Sequence, residues 1–238
     1  MNASDPRMSI IVPTLNEERY IEQCLRSFQD QTIPRNQFEL IVSDTRSKDQ
    51  TAEIAEQYAD RVVVHDGIGA GFGKNVGARL AKSPLLGFVD GDSKVSPAWV
   101  EGALHGLEDC IGCTGPVDSF DAHSWRERLF FFGWGSAVYW GSVFNRVFLP
   151  GFNTAVRRSA FDQVGGFFND NRINEDMDLS KKLWNLGRVG YEQRMRVFTS
   201  ARRVEELGLT EYVMAGARFV FLKQDKTWQE HRKDTREL

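Results

Sequence analysis

GKNVGARLAKSPLLGFVDGDS, residues 73–93, contains in one stretch the pattern on which the fold depends. Val76 and Leu80 recur at helical spacing, and the apolar run at residues 85–89 follows them and ends at acidic residues. A short apolar run rich in Leu, Val and Phe predicts a strand that is buried on both faces, which is typical of a parallel sheet. The stretch therefore predicts a helix followed by a buried strand, the repeating unit of an α/β fold.

The upstream sequence repeats this arrangement. Three more apolar runs predict doubly buried strands: SIIVP (9–13), FELIVS (38–43) and RVVV (61–64). Helical patterns separate them, with Ile21, Leu25 and Phe28 on one face of the first helix. Ser47 and Gln50 match a capping box ahead of TAEIAEQYA, and the glycines of GAGFG open a third helix. The alternation predicts right-handed crossovers and a doubly wound, Rossmann-like, mostly parallel sheet flanked by helices.

The second half of the chain has a different pattern. Residues 118–150 are aromatic and irregular, whereas GFNTAVRRSAFDQVGGF (151–167) and NEDMDLSKKLWNLG (174–187) are regular again. Leu179, Leu183 and Leu186 predict one apolar helical face that ends at Gly187. From residue 202 the sequence is charged, and we expect a helical tail.

The composition of the chain restricts its possible partners and its cellular location. The 238 residues suit one large domain, and a net charge of -3 argues against nucleic acid as the main partner. Three cysteines cannot form a disulfide framework, so we expect buried structural thiols and a cytoplasmic, reducing location. The polar first residues predict no signal peptide, and no uncharged apolar run reaches the ~20 residues that span a bilayer.

Acidic side chains follow the predicted strands, at the edge where open α/β sheets bind ligands. Asp90 and Asp92 flank a glycine after the fourth strand and could hold Mg²⁺ or Mn²⁺, or could bond their own turn. Asp44, after the second strand, could accept from a nucleobase N–H or cap the next helix. Glu175 and Asp176 open a helix, where the helix macrodipole could simply stabilise both acids, or one of them could act as a general base.

Taken together, SIIVPTLNEE, ELIVSDTRSKDQT, GKNVGARLAKSPLLGFVDGDS and GFNTAVRRSAFDQVGGF leading to NEDMDLSKKL resemble the family 2 glycosyltransferases of the GT-A fold. The resemblance covers residues 9–190. It implies a donor-binding half (1–117), an acceptor-binding and catalytic half (118–201) and a helical C-terminal tail (202–238). It also implies inverting, non-processive transfer of a hexose from a UDP- or GDP-type donor to an acceptor hydroxyl, with a divalent cation.

The resemblance implies a role for each matching residue. Asp92, with Asp90, would hold the metal, Asp176 would be the catalytic base and Glu175 its companion. The remaining positions would face the donor: Pro13, Thr14, Leu15 and Glu17 around the nucleoside, Asp44 at the base, and Lys74, Asn75, Asp90 and Gly91 near the diphosphate.

Three departures from the family pattern stand out. The second strand ends in Ser43 and Asp44 where the family usually has two acids. The histidine often found after the catalytic helix is absent, and Arg202 and Arg203 could serve the departing diphosphate instead, or form a basic surface turn. QDKTW (224–228) lacks the arginine of the QxxRW motif of processive synthases.

The acceptor side is the least defined. Residues 126–146 combine basic ends with an aromatic middle, which fits a helix at a membrane interface, a buried helix or an oligomer interface. A lipid-linked or cell-envelope glycan acceptor at the inner face of the cell membrane would explain a helix at the membrane interface. The rival functions are a nucleotidyltransferase, a phosphatase with a DxD nucleophile, and a catalytically silent module that binds nucleotide-sugars.

Overall fold

The computed structural model describes residues 5–143, 146–168 and 175–202. The strands are β1 (Met8–Thr14), β2 (Phe38–Asp44), β3 (Arg61–Val64), β4 (Leu85–Phe88), β5 (Ser93–Val95), β6 (Gly112–Thr114), β7 (Val117–Ser119), β8 (Thr154–Arg157), β9 (Val189–Tyr191) and β10 (Val197–Thr199). The helices are α1 (Ile21–Ser27), α2 (Thr51–Ala55), α3 (Ala70–Leu80), α4 (Trp99–Asp109), α5 (Trp125–Val143), α6 (Arg158–Gln163) and α7 (Glu175–Leu186), and a 3-10 turn, Arg35–Gln37, precedes β2.

A central sheet of seven strands has the order β3-β2-β1-β4-β8-β6-β9. β1 pairs in parallel with both β2 and β4, β2 with β3, and β6 with β9. β8 runs antiparallel to its neighbours β4 and β6. The predicted mostly parallel α/β sheet is therefore confirmed, and a second sheet of three strands, β5-β10-β7, lies outside the prediction.

Burial follows position in the sheet. Every residue of β1 and β2 is buried, as expected for strands that are covered on both faces. The same expectation is wrong for β3, whose four residues are exposed or half-buried. β3 is the edge strand with a hydrogen-bonded neighbour on one side only, so fewer residues cover it.

The core has two halves because successive strand residues point to opposite faces. On one face Ile10 packs in a cluster with Trp99, and on the other Ile11 clusters with Phe88. Leu179 and Leu183 of α7 are fully buried in the second cluster, which confirms the predicted apolar face.

Two local expectations fail. Ser47 does not cap α2, because its hydroxyl donates to Asp44 Oδ1 over 2.6 Å, and Gln50 precedes the helix without a side-chain cap. α2 also ends at Ala55, earlier than TAEIAEQYA predicts. The third predicted helix is confirmed as α3, in which Val76 and Leu80 are half-buried and Lys74 and Ala78 are buried.

The aromatic segment forms a regular helix of 19 residues, α5. Ser124 and Glu127 make a reciprocal capping box at its start, with Glu127 N donating to Ser124 Oγ and Ser124 N donating to Glu127 Oε2. Large apolar side chains are exposed along one face: Trp125, Leu129, Phe132, Tyr139, Trp140 and Val143. Among the described residues, no helix is both long and apolar enough to cross a bilayer.

The three cysteines, Cys24, Cys110 and Cys113, are free and buried, which confirms the expected structural thiols. Burial raises the pKa of the Cys113 thiol above its ordinary range, so this side chain is an unreactive core group.

Candidate functional site

The carboxyl ends of β1, β2 and β4 meet at one edge of the sheet because these strands are parallel neighbours. Thr14, the last residue of β1, is in register with Asp44 of β2, and its hydroxyl donates to Asp44 Oδ1 over 2.8 Å. The sequence-predicted residues after each of these strands are thus brought together.

Asp44 organises the loop after β2. Besides the Thr14 hydroxyl, its carboxylate accepts from the backbone N–H of Ser47 at 2.8 Å and from the Ser47 hydroxyl at 2.6 Å. The residue is 1% exposed. Three of the roughly four acceptor positions of the carboxylate are therefore used within the protein. Asp44 therefore holds the loop after β2 against the end of β1.

The TLNEE loop after β1 is tied to the loop after β2. Asn16 adopts a left-handed conformation with φ of 55°, and its side-chain oxygen accepts from Lys48 N. The backbone N–H of Glu17 donates to Thr51 Oγ1 over 2.8 Å. Leu15 is left exposed at the rim, whereas the Glu17 side chain turns inwards and is buried.

A guanidinium lies between two carboxylates on the metal side of the site. Arg202 Nη2 is 3.0 Å from Glu17 Oε1 and 3.3 Å from Asp92 Oδ2, and the guanidinium stacks over the Tyr20 ring at 5.3 Å. β10 pairs with β5 directly after Asp92, and Ser200 N donates to the Asp92 carbonyl over 3.1 Å. This pairing carries Arg202 to Asp92 across 110 residues of sequence.

A buried lysine lies between the predicted metal side and the predicted base. Lys74 is 1% exposed, and its Nζ is 3.5 Å from Asp90 Oδ1 and 3.6 Å from Glu175 Oε1. Phe167 offers its ring face to the same ammonium at 5.3 Å. A β-carbon at position 151 would collide with the ammonium, so Gly151 leaves the space that Lys74 needs.

Asp176 is in the first turn of α7, where two backbone N–H groups reach its carboxylate. Met177 N donates to Oδ1 over 2.8 Å, and Gly151 N donates to Oδ2 over 3.3 Å. Loss of solvation, followed by repulsion from Glu175, raises the pKa of Asp176 to about 7, although Lys74 opposes the rise. A carboxylate with a pKa near neutrality is suited to accept a proton at physiological pH.

The donor set of Asp90 and Asp92 fits a divalent cation that completes its shell with substrate and water. Asp90 Oδ1 is buried and accepts no hydrogen bond within the described ranges, although the Lys74 ammonium forms an ion pair with it at 3.5 Å. Those ranges contain no cluster of three or more His, Cys, Asp or Glu side chains that could hold a metal by themselves. Mg²⁺ and Mn²⁺ sites that use one or two carboxylates plus phosphate oxygens need no third protein ligand.

Two more of the predicted residues, Asn75 and Gly91, have structural roles near the site. Asn75 binds the backbone of Phe167 in both directions, donating to its carbonyl over 2.7 Å and accepting from its N–H over 3.1 Å. Gly91 lets Thr14 approach, since a β-carbon there would be 3.0 Å from the Thr14 methyl. Arg203 lies outside the described residues, as do QDKTW and nearly all of the predicted tail.

Sequence reasoning missed Gly151 and Asn153, although both lie in the quoted GFN segment. Asn153 is fully buried, accepts from the Trp99 indole N–H over 2.9 Å and donates to the carbonyl of Met195 over 2.9 Å. It joins the start of β8 to the segment just before β10. A polar residue just before an apolar strand was the available signal.

Comparison with known proteins gives a family match. The sequence profile described as Glycosyl transferase family 2 matches residues 9–165. Glycosyltransferase AglE of Haloferax volcanii is 25% identical over 197 residues, which is 79% of this chain and 64% of that protein. An uncharacterized glycosyltransferase of Bacillus subtilis, EpsJ, is 37% identical over 117 residues, 45% of this chain and 33% of that protein. The chain thus spans between a third and two thirds of these relatives.

Solved structures share the fold. Residues 1–349 of TarS from Staphylococcus aureus, in complex with UDP-GlcNAc, superpose with a TM-score of 0.69 over 82% of this chain and 58% of that one, at 20% identity. The mannosyltransferase PcManGT from Pyrobaculum calidifontis, in complex with GDP-Man and Mn²⁺, gives 0.63 over 91% and 65%, at 19% identity. The sheet and its flanking helices are therefore those of GT-A glycosyltransferases.

Proposed function

Because this chain belongs to glycosyl transferase family 2, we propose that it transfers a hexose from a UDP- or GDP-type nucleotide sugar to an acceptor hydroxyl, with inversion. The observation that carries the proposal is the group of acidic side chains at one edge of the sheet, where Asp44 ends β2 and the buried Lys74 lies between Asp90 and Glu175. Asp92 follows Asp90 by two residues, and Asp176 directly follows Glu175. TarS is solved with UDP-GlcNAc and PcManGT with GDP-Man, which supports a nucleotide-sugar donor of either base.

The donor's nucleoside would lie over Pro13, Thr14 and Leu15. Asp44 would meet the base through the acceptor position that its bonds to Thr14 and Ser47 leave. Since these bonds already fix the carboxylate, it would bind the base without losing conformational freedom.

Asp92 and Asp90 would hold a divalent cation next to the donor diphosphate. The cation, when bound, supplies positive charge against the negative charge that grows on the leaving nucleotide. Asp92 is the stronger candidate because the family resemblance implies a direct metal ligand at its position, and its carboxylate is 4% exposed. Arg202 would then bind the departing diphosphate, as charge-assisted, bidentate arginine contacts do.

Asp176 would be the general base. The backbone N–H groups of Met177 and Gly151 orient its carboxylate, and its raised pKa suits proton transfer near neutral pH. The acceptor oxygen would lose its proton to Asp176 as it attacks the anomeric carbon on the face opposite the leaving diphosphate. One displacement with one base inverts the anomeric configuration.

Lys74 would position the two acidic groups. It is paired with both Asp90 and Glu175, and contact with a phosphate would compete with these two ion pairs. We therefore assign it to holding the metal side and the base side of the site at a fixed separation, rather than to direct contact with the diphosphate.

The acceptor would lie beside residues 118–201, and the exposed face of α5 supports a lipid surface next to it. That face presents Trp125, Phe132 and Trp140, each more than 60% exposed, with Arg126 and Arg128 in the first turn. Aromatic and basic side chains together favour an anionic membrane interface. Flotation with anionic liposomes at low salt tests this partner. Wild type should float with the liposomes, and the double variant Phe132→Ser/Trp140→Ser should not. A wild-type protein that does not bind the liposomes would reject the membrane contact.

Two other functions give different outcomes. A nucleotidyltransferase needs a basic, glycine-rich loop after the first strand, where this chain has PTLNEE, and it would release pyrophosphate from a nucleoside triphosphate. A catalytically silent module would bind the nucleotide sugar and release nothing.

Release of UDP or GDP from a panel of nucleotide sugars, with Mn²⁺ and with water as a slow acceptor, tests the function. Wild type should release one nucleotide, and Asp92→Asn and Asp176→Asn should lower the rate by about 10²-fold or more. Two variants are matched controls. Asp178→Asn removes the same charge from α7, at a residue whose native carboxylate pairs with Lys182. Asp118→Asn removes an exposed carboxylate from β7. Activity unchanged in Asp176→Asn would reject the assigned base.

A further inference from the structure

Arg202 binds the carboxylate oxygen that a metal would use. Its Nη2 is 3.3 Å from Asp92 Oδ2 and within 3.3 Å of both oxygens of Glu17. Asp92 is 4% exposed and Glu17 9% exposed, so both carboxylates have lost most of their water. Carboxylates that are this buried need a compensating positive charge, and the guanidinium supplies it.

Hydrogen bonds hold the backbone just before this arginine, whereas its side chain is partly exposed. Asp121 accepts from the Ser200 hydroxyl and from Ala201 N, both over 2.6 Å, and these bonds hold the chain just before Arg202. The Arg202 side chain is 28% exposed, and the Tyr20 ring lies under its guanidinium. A rotation of the side chain could therefore release Asp92 while the strand stays in place.

We propose that Arg202 is an internal cation that occupies Asp92 in the donor-free protein, and that a divalent cation binds Asp92 only by displacing it. This inference rests on the proposed function, since it needs Asp92 to be the metal ligand. The displaced guanidinium needs a new anion, and the donor diphosphate is the anion that arrives with the metal. Metal and nucleotide therefore bind together, and the protein without nucleotide has a weak metal affinity.

Mn²⁺ alone is the probe that tests the displacement, with the unbound ion measured by electron paramagnetic resonance in nucleotide-free protein. Arg202→Gln should bind Mn²⁺ about tenfold more tightly than wild type, because no charge-assisted bond to Asp92 has to be broken. Arg19→Gln is the matched control: Arg19 also lies over the Tyr20 ring, at 5.6 Å, and its removal should change the affinity by about twofold at most. Arg202→Gln/Asp92→Asn should lose the gain.

Each result decides the inference. Equal Mn²⁺ affinity in wild type and Arg202→Gln overturns it, as does a gain of the same size in Arg19→Gln or a gain that survives Asp92→Asn. Stabilisation by UDP or GDP, measured in the same proteins by their melting temperatures, separates this failure from failure of the proposed function. A nucleotide that still stabilises wild type leaves the donor site intact after the displacement idea has been rejected.

Discussion

Replacing the proposed base should make the protein more stable, and by an amount that depends on pH. The pKa of Asp176 is about 7 in the folded protein against an ordinary value of 3.8. For a fully dry carboxylate this gap would correspond to ~4 kcal/mol in the free energy of unfolding. Asp176 is half-buried, and an asparagine would lose the bond from Gly151 N, so we expect Asp176→Asn to gain about 1–2 kcal/mol at pH 8.

The sign follows from proton binding. Between pH 4 and pH 7 the folded protein holds the Asp176 proton more tightly than the unfolded chain, so wild type loses stability as the pH rises through that window. Urea unfolding of both proteins from pH 4.5 to pH 8.5 should show a difference that is small at the acid end and constant above pH 8. Asp178→Asn, which removes a carboxylate from the same helix, is the matched control. An Asp176→Asn protein less stable than wild type at pH 8.5 would refute the reasoning.

Three further results are expected. Lys74→Met should destabilise the fold by about 3–5 kcal/mol at pH 8 in urea unfolding, because it leaves the largely buried carboxylates of Asp90 and Glu175 without their cation. The rate of nucleotide release by wild type should fall about tenfold per pH unit below pH 7 as Asp176 gains its proton, and a flat pH–rate profile would contradict this. Asn153→Ala should cost about 3 kcal/mol and lower the melting temperature by roughly 6–12 °C, since it leaves the Trp99 indole and several buried carbonyls unpaired; an unchanged melting temperature would contradict the account.

The central strands could be predicted because burial alone determines their composition. β1 and β2 are covered on both faces, so each had to be a continuous apolar run, and the predicted bounds differ from the observed ones by a residue at one or both ends. β5, β7 and β10 have three residues each, which is too short for any periodicity to show. The second sheet therefore lay beyond sequence reasoning.

Competition for hydrogen bonds between neighbouring side chains explains the error at the start of α2. Ser47 has the right spacing for a cap, but Asp44 lies three residues upstream and takes its hydroxyl and its N–H. The cap that does form, Ser124 with Glu127, was present in the sequence as SWRE, within the segment described as irregular. Aromatic residues and glycines obscured the helical period of α5, although the basic ends and aromatic middle of residues 126–146 had already suggested a helix.

The site was predictable where it follows strand ends and unpredictable where distant segments meet. Asp44, Asp90 and Asp92 were identified from their positions after apolar runs, and these runs converge as parallel strands must. The burial of Lys74 depends on the space at Gly151, 77 residues away in sequence. The contact of Arg202 with Asp92 depends on the unpredicted pairing of β10 with β5.

The central claim is a donor site in which Asp92 binds a nucleotide diphosphate through a divalent cation. The most direct test is the melting temperature of wild type and Asp92→Ala with UDP, GDP and their sugars, with and without Mn²⁺. At a ligand concentration about 100 times its Kd, one nucleotide family should add ~2.7 kcal/mol, or roughly 5–11 °C, to wild type with Mn²⁺ and much less to Asp92→Ala. No shift with any nucleotide, or an equal shift in Asp92→Ala, would contradict the account.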